Sequence, residues 1–384
     1  MTQKTLMLVC GEPSGDQLGA QLMAAIRALA GDSVKITGVG GPAMAREGLK
    51  SLFPLDTTAV MGLREVVPAI PAILRRVRQA KDFALKTRPD AVVLIDSPDF
   101  THRIARAIRK ADPGLKTVNY VAPQVWASRA YRARAMAGYF DLVLALFPFE
   151  VPFFRKYGLK AVFVGHPVIE RRVRMTGGDA LRARLGIAPD APLLAMLPGS
   201  RSSEIRQMFP AFRAVAEILA KKIPGLVTII PTVPHVAARV REKTGHWLTP
   251  LHIVESEADK FSAFDAADVA LAASGTVTAE LALSRTPSVV FYIVGGLTYA
   301  LANWLYNSRF FALPNILLDR EAIPEFKQEK ATPEILAAEV EKLFQDKTAH
   351  AAQVAAMDDF AHRLGEGEEA PSLRAARVLL DFIG

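Results

Sequence analysis

The 384-residue chain has one cysteine, Cys10, and seven histidines that never fall at an HxxxH spacing. Those absences exclude a disulfide scaffold and a Cys- or His-rich metal centre, and a lone thiol suits a reducing compartment. No Gly-x4-Gly-Lys-Ser/Thr run occurs, so hydrolysis of a nucleoside triphosphate is not expected. Short repeats, heptads and low-complexity tracts are missing as well. The start, MTQKTLMLVC, enters a strand pattern without a cleavage-site signature, so no signal peptide is expected. Long apolar runs are equally scarce. The one charge-free stretch of bilayer length is Thr286 to Ser308, 23 residues. Pro287 opens it, Gly295-Gly296 splits it and Asn303 interrupts it. Its first part, Ser288 to Val294, reads as a buried parallel strand and its second, Leu297 to Tyr306, as an apolar helix, not a span.

What is present describes an ordinary folded chain: 51% hydrophobic and 22% charged residues, enough for two or three domains. The formal charge of +8 is unevenly spread. Residues 1–168 hold 23 basic and 13 acidic side chains; residues 169–384 hold 24 and 26. A basic half suggests a polyanionic partner, whether nucleic acid, an anionic membrane or a phosphorylated substrate; solvated surface charge is the plain alternative. Within that half lies a wholly apolar segment, Val66-Val67-Pro68-Ala69-Ile70-Pro71-Ala72-Ile73-Leu74, followed at once by Arg75, Arg76, Arg78 and Lys81. Its two prolines make a poor core helix. An apolar wedge beside a basic cluster has the composition of a surface-lying membrane contact; a loop packed on its own domain before a solvated helix is the other reading.

Strand-like and helical patterns alternate throughout, as in a parallel α/β sheet. Strands are expected at Thr5–Cys10, Val34–Val39, Ala91–Ile95, Thr117–Val121, Leu142–Leu146 and Ala161–Val164. A second series falls at Leu193–Leu197, Leu226–Ile230, His252–Val254, Val269–Ala272 and Ser288–Ile293. Helices are expected between them, at Gln17–Ala30, Thr101–Lys110, Phe209–Lys222, His235–Thr244, Ser262–Ala266 and Thr276–Ser284. The pattern restarts after a non-periodic stretch, so the boundary is placed near Pro167. The expected architecture is α/β, with two doubly wound Rossmann-like domains at 1–167 and 168–345, a cleft between them, and a helical tail at 346–384.

In such sheets ligands bind beyond the carboxyl ends of the strands. The first strand ends in Gly11-Glu12-Pro13-Ser14-Gly15-Asp16. The spacing of Gly11, Gly15 and Gly19 is wrong for a nicotinamide fingerprint. The turn can bind a sugar hydroxyl or a phosphate, or Ser14 or Asp16 can simply cap the helix. Asp96 stands at the tip of the third strand, where desolvation suits a carboxylate to general-base work; Asp99 reads as the next helix's N-cap. In the second half, Gly199-Ser200-Arg201 ends a strand before Glu204, with small residues for a diphosphate and a forked cation for developing charge. Ser274-Gly275-Thr276 ends another, with Glu280 one turn on, suited to phosphate and to vicinal hydroxyls. His166 reads as a structural residue.

Together these segments resemble the bacterial lipid-A-disaccharide synthases, two-domain inverting glycosyltransferases of the GT-B type. The resemblance also rests on Gly40-Gly41-Pro42 with Met44, Val60-Met61-Gly62, Pro123-Gln124-Val125-Trp126-Ala127, Phe147-Pro148-Phe149-Glu150, Gly165-His166-Pro167 and Leu313-Pro314-Asn315. The motifs run in family order over roughly residues 5–345. Ser128, where a second tryptophan is usual, and Pro13, where a small residue or Thr is usual, depart from the pattern.

What the resemblance implies is transfer of 2,3-diacylglucosamine from UDP to 2,3-diacylglucosamine 1-phosphate, giving a β-1,6-linked disaccharide. It implies Asp96 as general base and Arg201 as diphosphate stabiliser. Gly199, Ser200, Ser274, Gly275, Thr276, Glu280, Asn315 and Gln328 would bind the UDP-sugar. Gly11, Glu12, Ser14, Asp16 and Met61 would bind the acceptor. Val66, Val67, Ile70, Ile73, Leu74, Arg75, Arg76 and Arg78 would contact the membrane. No cofactor or metal is expected. The implied location is cytoplasmic, peripheral to the inner membrane of a Gram-negative bacterium, and the family suggests a homodimer. A soluble UDP-sugar enzyme would share the nucleotide site without the apolar wedge. A nucleic-acid-binding protein would explain the basic half, yet no basic, aromatic-interleaved strand or recognition helix is present, so no nucleic acid partner is expected.

Overall fold

The apolar runs of the first half become six parallel strands: β1 (Lys4–Cys10), β2 (Val34–Val39), β3 (Ala91–Ile95), β4 (Thr117–Tyr120), β5 (Leu142–Ala145) and β6 (Ala161–Phe163). The computed structural model describes residues 3–55, 63–123, 130–293 and 309–384, with backbone alone at 63–69 and 130. The strand order is β2-β1-β3-β4-β5-β6. Every side chain of β3 is fully buried, as expected when helices cover both faces of a parallel sheet. The helices of this half are α1 (Pro13–Ala30), α2 (Pro42–Arg46), α3 (Leu63–Thr87), α4 (Pro98–Ala111), α5 (Ala130–Ala137) and α6 (Glu150–Arg155).

The second half repeats the plan with β7 (Leu193–Leu197), β8 (Val227–Pro231), β9 (Leu251–Val254), β10 (Val269–Ala273), β11 (Ser288–Tyr292) and β12 (Glu325–Lys327). They are also all parallel, in the order β12-β11-β10-β7-β8-β9. The helices are α7 (Gly178–Leu185), α8 (Ser202–Lys222), α9 (Pro234–Lys243), α10 (Glu257–Ala266), α11 (Val277–Ser284), α12 (Leu313–Leu318), α13 (Pro333–Gln345) and α14 (Lys347–Arg363). The core on one face of this sheet joins Phe212 of α8 to Phe291 of β11, ring centroids 4.9 Å apart.

The chain divides into two compact units, residues 168–367 and residues 1–167 with 368–384. The tail therefore parts company with itself: α14 stays in the second unit, and the last helix, α15 (Pro371–Ile383), belongs to the first. Its buried face carries Ala375, Ala376, Leu379 and Ile383, and it packs on α1. Lys4 Nζ and Lys116 Nζ donate to the carbonyls of Ile383 and Phe382 at its end, at 3.1 and 2.8 Å, as cations should at a helix C-terminus.

Several helices begin earlier than the sequence pattern predicts. The first starts at Pro13 instead of Gln17, with proline at the first turn, where its missing N–H costs nothing. The helix expected from Phe209 starts at Ser202 and runs through Pro210, with the Glu204 carboxylate accepting from the Arg201 backbone amide at its start. The helix expected from Ser262 starts at Glu257, where the Ser256 hydroxyl accepts from Asp259 N at 3.0 Å. The three-residue strand β12 is too short to announce itself and exists through pairing with β11. Among the described residues no helix is long and apolar enough to cross a membrane. Ser288–Tyr292 is a strand, as expected; the helix expected at Leu297–Tyr306 lies outside the described residues.

Candidate functional site

Each sheet has one place where strand order reverses, and ligand sites of open α/β sheets form there. In the first unit it lies between β1 and β3, which pair with Cys10 opposite Ile95. The two turns leaving these strands meet: the Ser14 hydroxyl donates to Asp96 Oδ2 at 2.8 Å. Asp96 is half-buried and has a left-handed backbone, φ 54°, as does Ser97 at 45°. Asp96 N donates to the Tyr120 carbonyl at 2.9 Å, and Thr101 Oγ1 donates to the Asp96 carbonyl at 2.6 Å. Gly11 is buried beneath this turn; a Cβ on it would lie 2.8 Å from Ser97 Cβ, so only glycine lets the two turns approach. Glu12 is half-buried at the N-cap of α1. The helix after Asp96 begins at Pro98 with Ser97 at the N-cap position, so Asp99 is in the first turn and not the cap.

Asp16 is 4% exposed, and its oxygens accept from the backbone amides of Gly41 (2.7 Å), Ala43 (2.8 Å) and Met44 (3.0 Å). It holds the start of α2. Cys10, beneath it, is pushed up to about 12 by burial with the Asp16 charge adding, so it is no nucleophile.

In the second unit the order reverses between β7 and β10. The turns leaving them and β8 line one cavity of about 280 Å³. Gly199, Ser200, Arg201, Ser274, Gly275, Thr276 and Glu280 all stand on its wall, seven of the residues expected to hold a nucleotide sugar. Gly199 has φ 104°, and Glu204 Oε2 would lie 2.5 Å from a Cβ there. Glu204 accepts from the amides of Ser200 (3.1 Å) and Arg201 (3.2 Å) and pairs with the Arg201 guanidinium at 2.6 Å. Those two amides are thus already engaged. The open end of α11, with Gly275 and Thr276 before it, offers amides to an anion more directly. Glu280 is buried and held by two cations, Arg171 at 2.7 Å and Lys260 at 3.0 Å. Near the wall, burial and the Glu204 charge push the Tyr292 phenol up.

Two expected members lie elsewhere. Asn315 is fully buried: its amide donates to the Ile323 carbonyl at 2.7 Å and its oxygen accepts from Ala322 N (2.8 Å) and Ile323 N (2.9 Å). It staples its own loop and is not in the cavity. Gln328, with φ 49° in a turn of 3-10 helix, is not in the lining either. Conversely, Lys260, Thr232 and Arg171 were missed. Thr232 follows an apolar strand, and the strand-end rule points to it; Lys260 falls in a helical turn that the sequence pattern had left out. His235 Nε2 lies 2.9 Å from the Ser200 carbonyl and braces that turn.

The apolar wedge is helical, not a loop: Pro68 and Pro71 both lie within α3. Ile70 and Leu74 are 44% and 48% exposed, Arg75 and Arg78 are exposed, and Ile73 is half-buried. Arg76 stacks 4.7 Å over the Phe53 ring. Met61, residues 124–129 with Trp126 and Ser128, and the side chains of Val66 and Val67 lie outside the described residues. Among the described residues no group of three His, Cys, Asp or Glu side chains could hold a metal ion.

The lipid-A-disaccharide synthetase family model matches residues 6–377. The lipid-A-disaccharide synthase of Rhodospirillum centenum is 45% identical over 378 residues, 98% of this chain and 94% of the relative. That of Paramagnetospirillum magneticum is 43% identical over 98% of this chain and 97% of its own. Among solved structures, the UDP-N-acetylglucosamine 2-epimerase of Rickettsia bellii superposes with TM-score 0.63 at 13% identity, covering 99% of this chain and 97% of that one. MurG of Acinetobacter baumannii gives 0.57 at 15%, covering 94% and 98%. These likenesses carry the GT-B fold. With two switch-point turns in place and a full-length match at this identity, the chain belongs to the lipid-A-disaccharide synthase family, glycosyltransferases of lipid A biosynthesis.

Proposed function

We propose that the chain transfers 2,3-diacylglucosamine from UDP-2,3-diacylglucosamine to 2,3-diacylglucosamine 1-phosphate, forming the β-1,6-linked disaccharide 1-phosphate and releasing UDP. The observation that carries this reading is the convergence of seven nucleotide-suited residues on one cavity at the β7–β10 switch point. In this reading UDP lies there, its phosphates against the start of α11 and the Gly199–Arg201 turn, its ribose hydroxyls on Glu280. Asp96, oriented by Ser14, takes the proton of the acceptor's 6-hydroxyl. That oxygen bonds to the anomeric carbon as the bond from carbon to the UDP oxygen breaks, with inversion. The electron pair departs on the β-phosphate, where cations and helix amides stabilise it. The exposed apolar and basic face of α3 serves as the contact with the cytoplasmic side of the inner membrane.

Mass spectrometry of an incubation with both substrates tests the reading: disaccharide 1-phosphate and UDP should appear together, and no product would overturn it. In the same assay Asp96→Asn should lower kcat by about 10²–10⁴-fold while UDP affinity is unchanged. Near-normal turnover would exclude Asp96 as the base.

A further inference from the structure

Glu280 has more cation than it needs. Its carboxylate, 5% exposed, is met by Lys260 Nζ at 3.1 Å on one oxygen and 3.0 Å on the other, and by Arg171 at 2.7 Å. Two cations on one carboxylate leave a net positive charge at the wall of a cavity. Removing charge from water is costly unless a partner answers it. The other cation among the described lining residues, Arg201, is 60% exposed and already paired with Glu204. Lys260 is the confined one: its side chain is 23% exposed, and its ammonium lies 4.4 Å over the Phe261 ring and 5.8 Å over the Phe264 ring. Three fixed neighbours hold it in place, which lowers the entropy of using it again for a ligand. A second observation in the same cavity points to a polar ligand: Thr232 is 7% exposed and its hydroxyl is buried with no hydrogen-bond partner among the described residues. An unmet buried hydroxyl in a native cavity calls for a group to satisfy it.

We propose that Lys260 is a ligand-binding residue of this site, reading the negative charge of a nucleoside diphosphate, and that Glu280 holds its ammonium in position. The inference rests on the nucleotide reading of the cavity given above. When the diphosphate arrives, the excess charge of the Arg171–Glu280–Lys260 cluster is answered by phosphate, while Arg171 alone continues to neutralise Glu280. Lys260 thereby makes the site prefer UDP over the uncharged nucleoside, a task that backbone amides perform more weakly because they carry only partial charge.

The test is calorimetric titration of wild type, Lys260→Met and Lys260→Arg with UDP and with uridine, at two salt concentrations. Losing one charge-assisted contact should weaken UDP binding about 10- to 100-fold in Lys260→Met, leave uridine within about 3-fold, and flatten the salt dependence of UDP binding. Lys260→Arg, which keeps the charge, should retain most of the preference for UDP. Equal losses for UDP and uridine would mean that Lys260 only props Glu280, and would overturn the inference, as would unchanged UDP affinity in Lys260→Met. A wild-type chain that binds no UDP would overturn the nucleotide reading itself, a distinct result. Thermal melting of each variant excludes misfolding as the cause of a loss.

Discussion

Asp96 and Ser97 are two consecutive non-glycine residues at positive φ, a conformation that costs about 1–3 kcal/mol for each residue. The surroundings hold them there. Thr101 Oγ1 donates to both of their carbonyls, Asp96 N is bound to β4, and the missing Cβ of Gly11 leaves room for Ser97. Behind this turn α4 buries His102, whose Nδ1 lies 3.1 Å from the Tyr139 hydroxyl. Arg106 donates to that hydroxyl. Burial, with Arg106 and Arg132 adding repulsion, lowers His102 from 6.5 to about 4. The unfolded chain therefore binds a proton that the folded chain refuses between these values. Stability is full above pH 6.5 and falls as pH drops toward 4, by about 3 kcal/mol for this one group. Urea midpoints at pH 7 and pH 4.5 should show most of that loss in wild type and its absence in His102→Phe; equal acid sensitivity of the two would refute it. At this scale the sequence was partly legible. A carboxylate closing an apolar strand singles out Asp96 as a candidate. Nothing in sequence separates it from Asp16 or Asn315, because only the folded neighbours decide whether a side chain meets a ligand or the amides of the next loop.

Elements were legible wherever their period was clean, and α3 shows where it was not. Pro68 and Pro71 each remove a helical donor, which argues against a helix locally. They are three residues apart and so share one side of it, leaving the opposite bonds intact. Val77, Ala80 and Ala84 then bury their face, and the helix packs on α4. Packing outweighs propensity here, and propensity was all that the sequence offered. The outer face presents Ile70 and Leu74 one turn apart, with Arg75 and Arg78 beside them. Transferring each apolar side chain into a bilayer is favourable by about 1.5–3 kcal/mol when complete, and nearby arginines add attraction to anionic lipid. Ile70→Glu with Leu74→Glu should reduce sedimentation with phosphatidylglycerol vesicles by about 10-fold or more without altering UDP affinity. Undiminished vesicle binding would refute the proposal that α3 contacts the membrane.

The whole chain repeats one plan: two parallel sheets, each with a reversal of strand order and a pair of turns gathered at it. That plan could be read from alternating patterns, since parallel strands announce themselves as unbroken apolar runs. What could not be read is the return of the last helix, because an amphipathic helix does not say in sequence which surface it covers. In the first unit α15 buries Leu379 and Ile383 and packs on α1, and the Phe382 ring lies 5.0 Å from Lys116 Nζ. Ending the chain at Gly367 would expose that face of α1. Two large side chains and the alanines between them stabilise by about 5 kcal/mol when removed from water, a large fraction of a domain's margin. The cavity at the β7–β10 switch point, by contrast, is lined, among the described residues, by the second unit alone. Truncation after Gly367 should therefore lower or abolish the melting transition of the first unit while UDP still binds within about 3-fold of wild type. Scanning calorimetry with and without UDP separates the two, since only the transition that UDP raises belongs to the second unit. A truncated chain whose two transitions are both unchanged would show that α15 contributes nothing to the first unit, and one that loses both would show that the units do not fold independently.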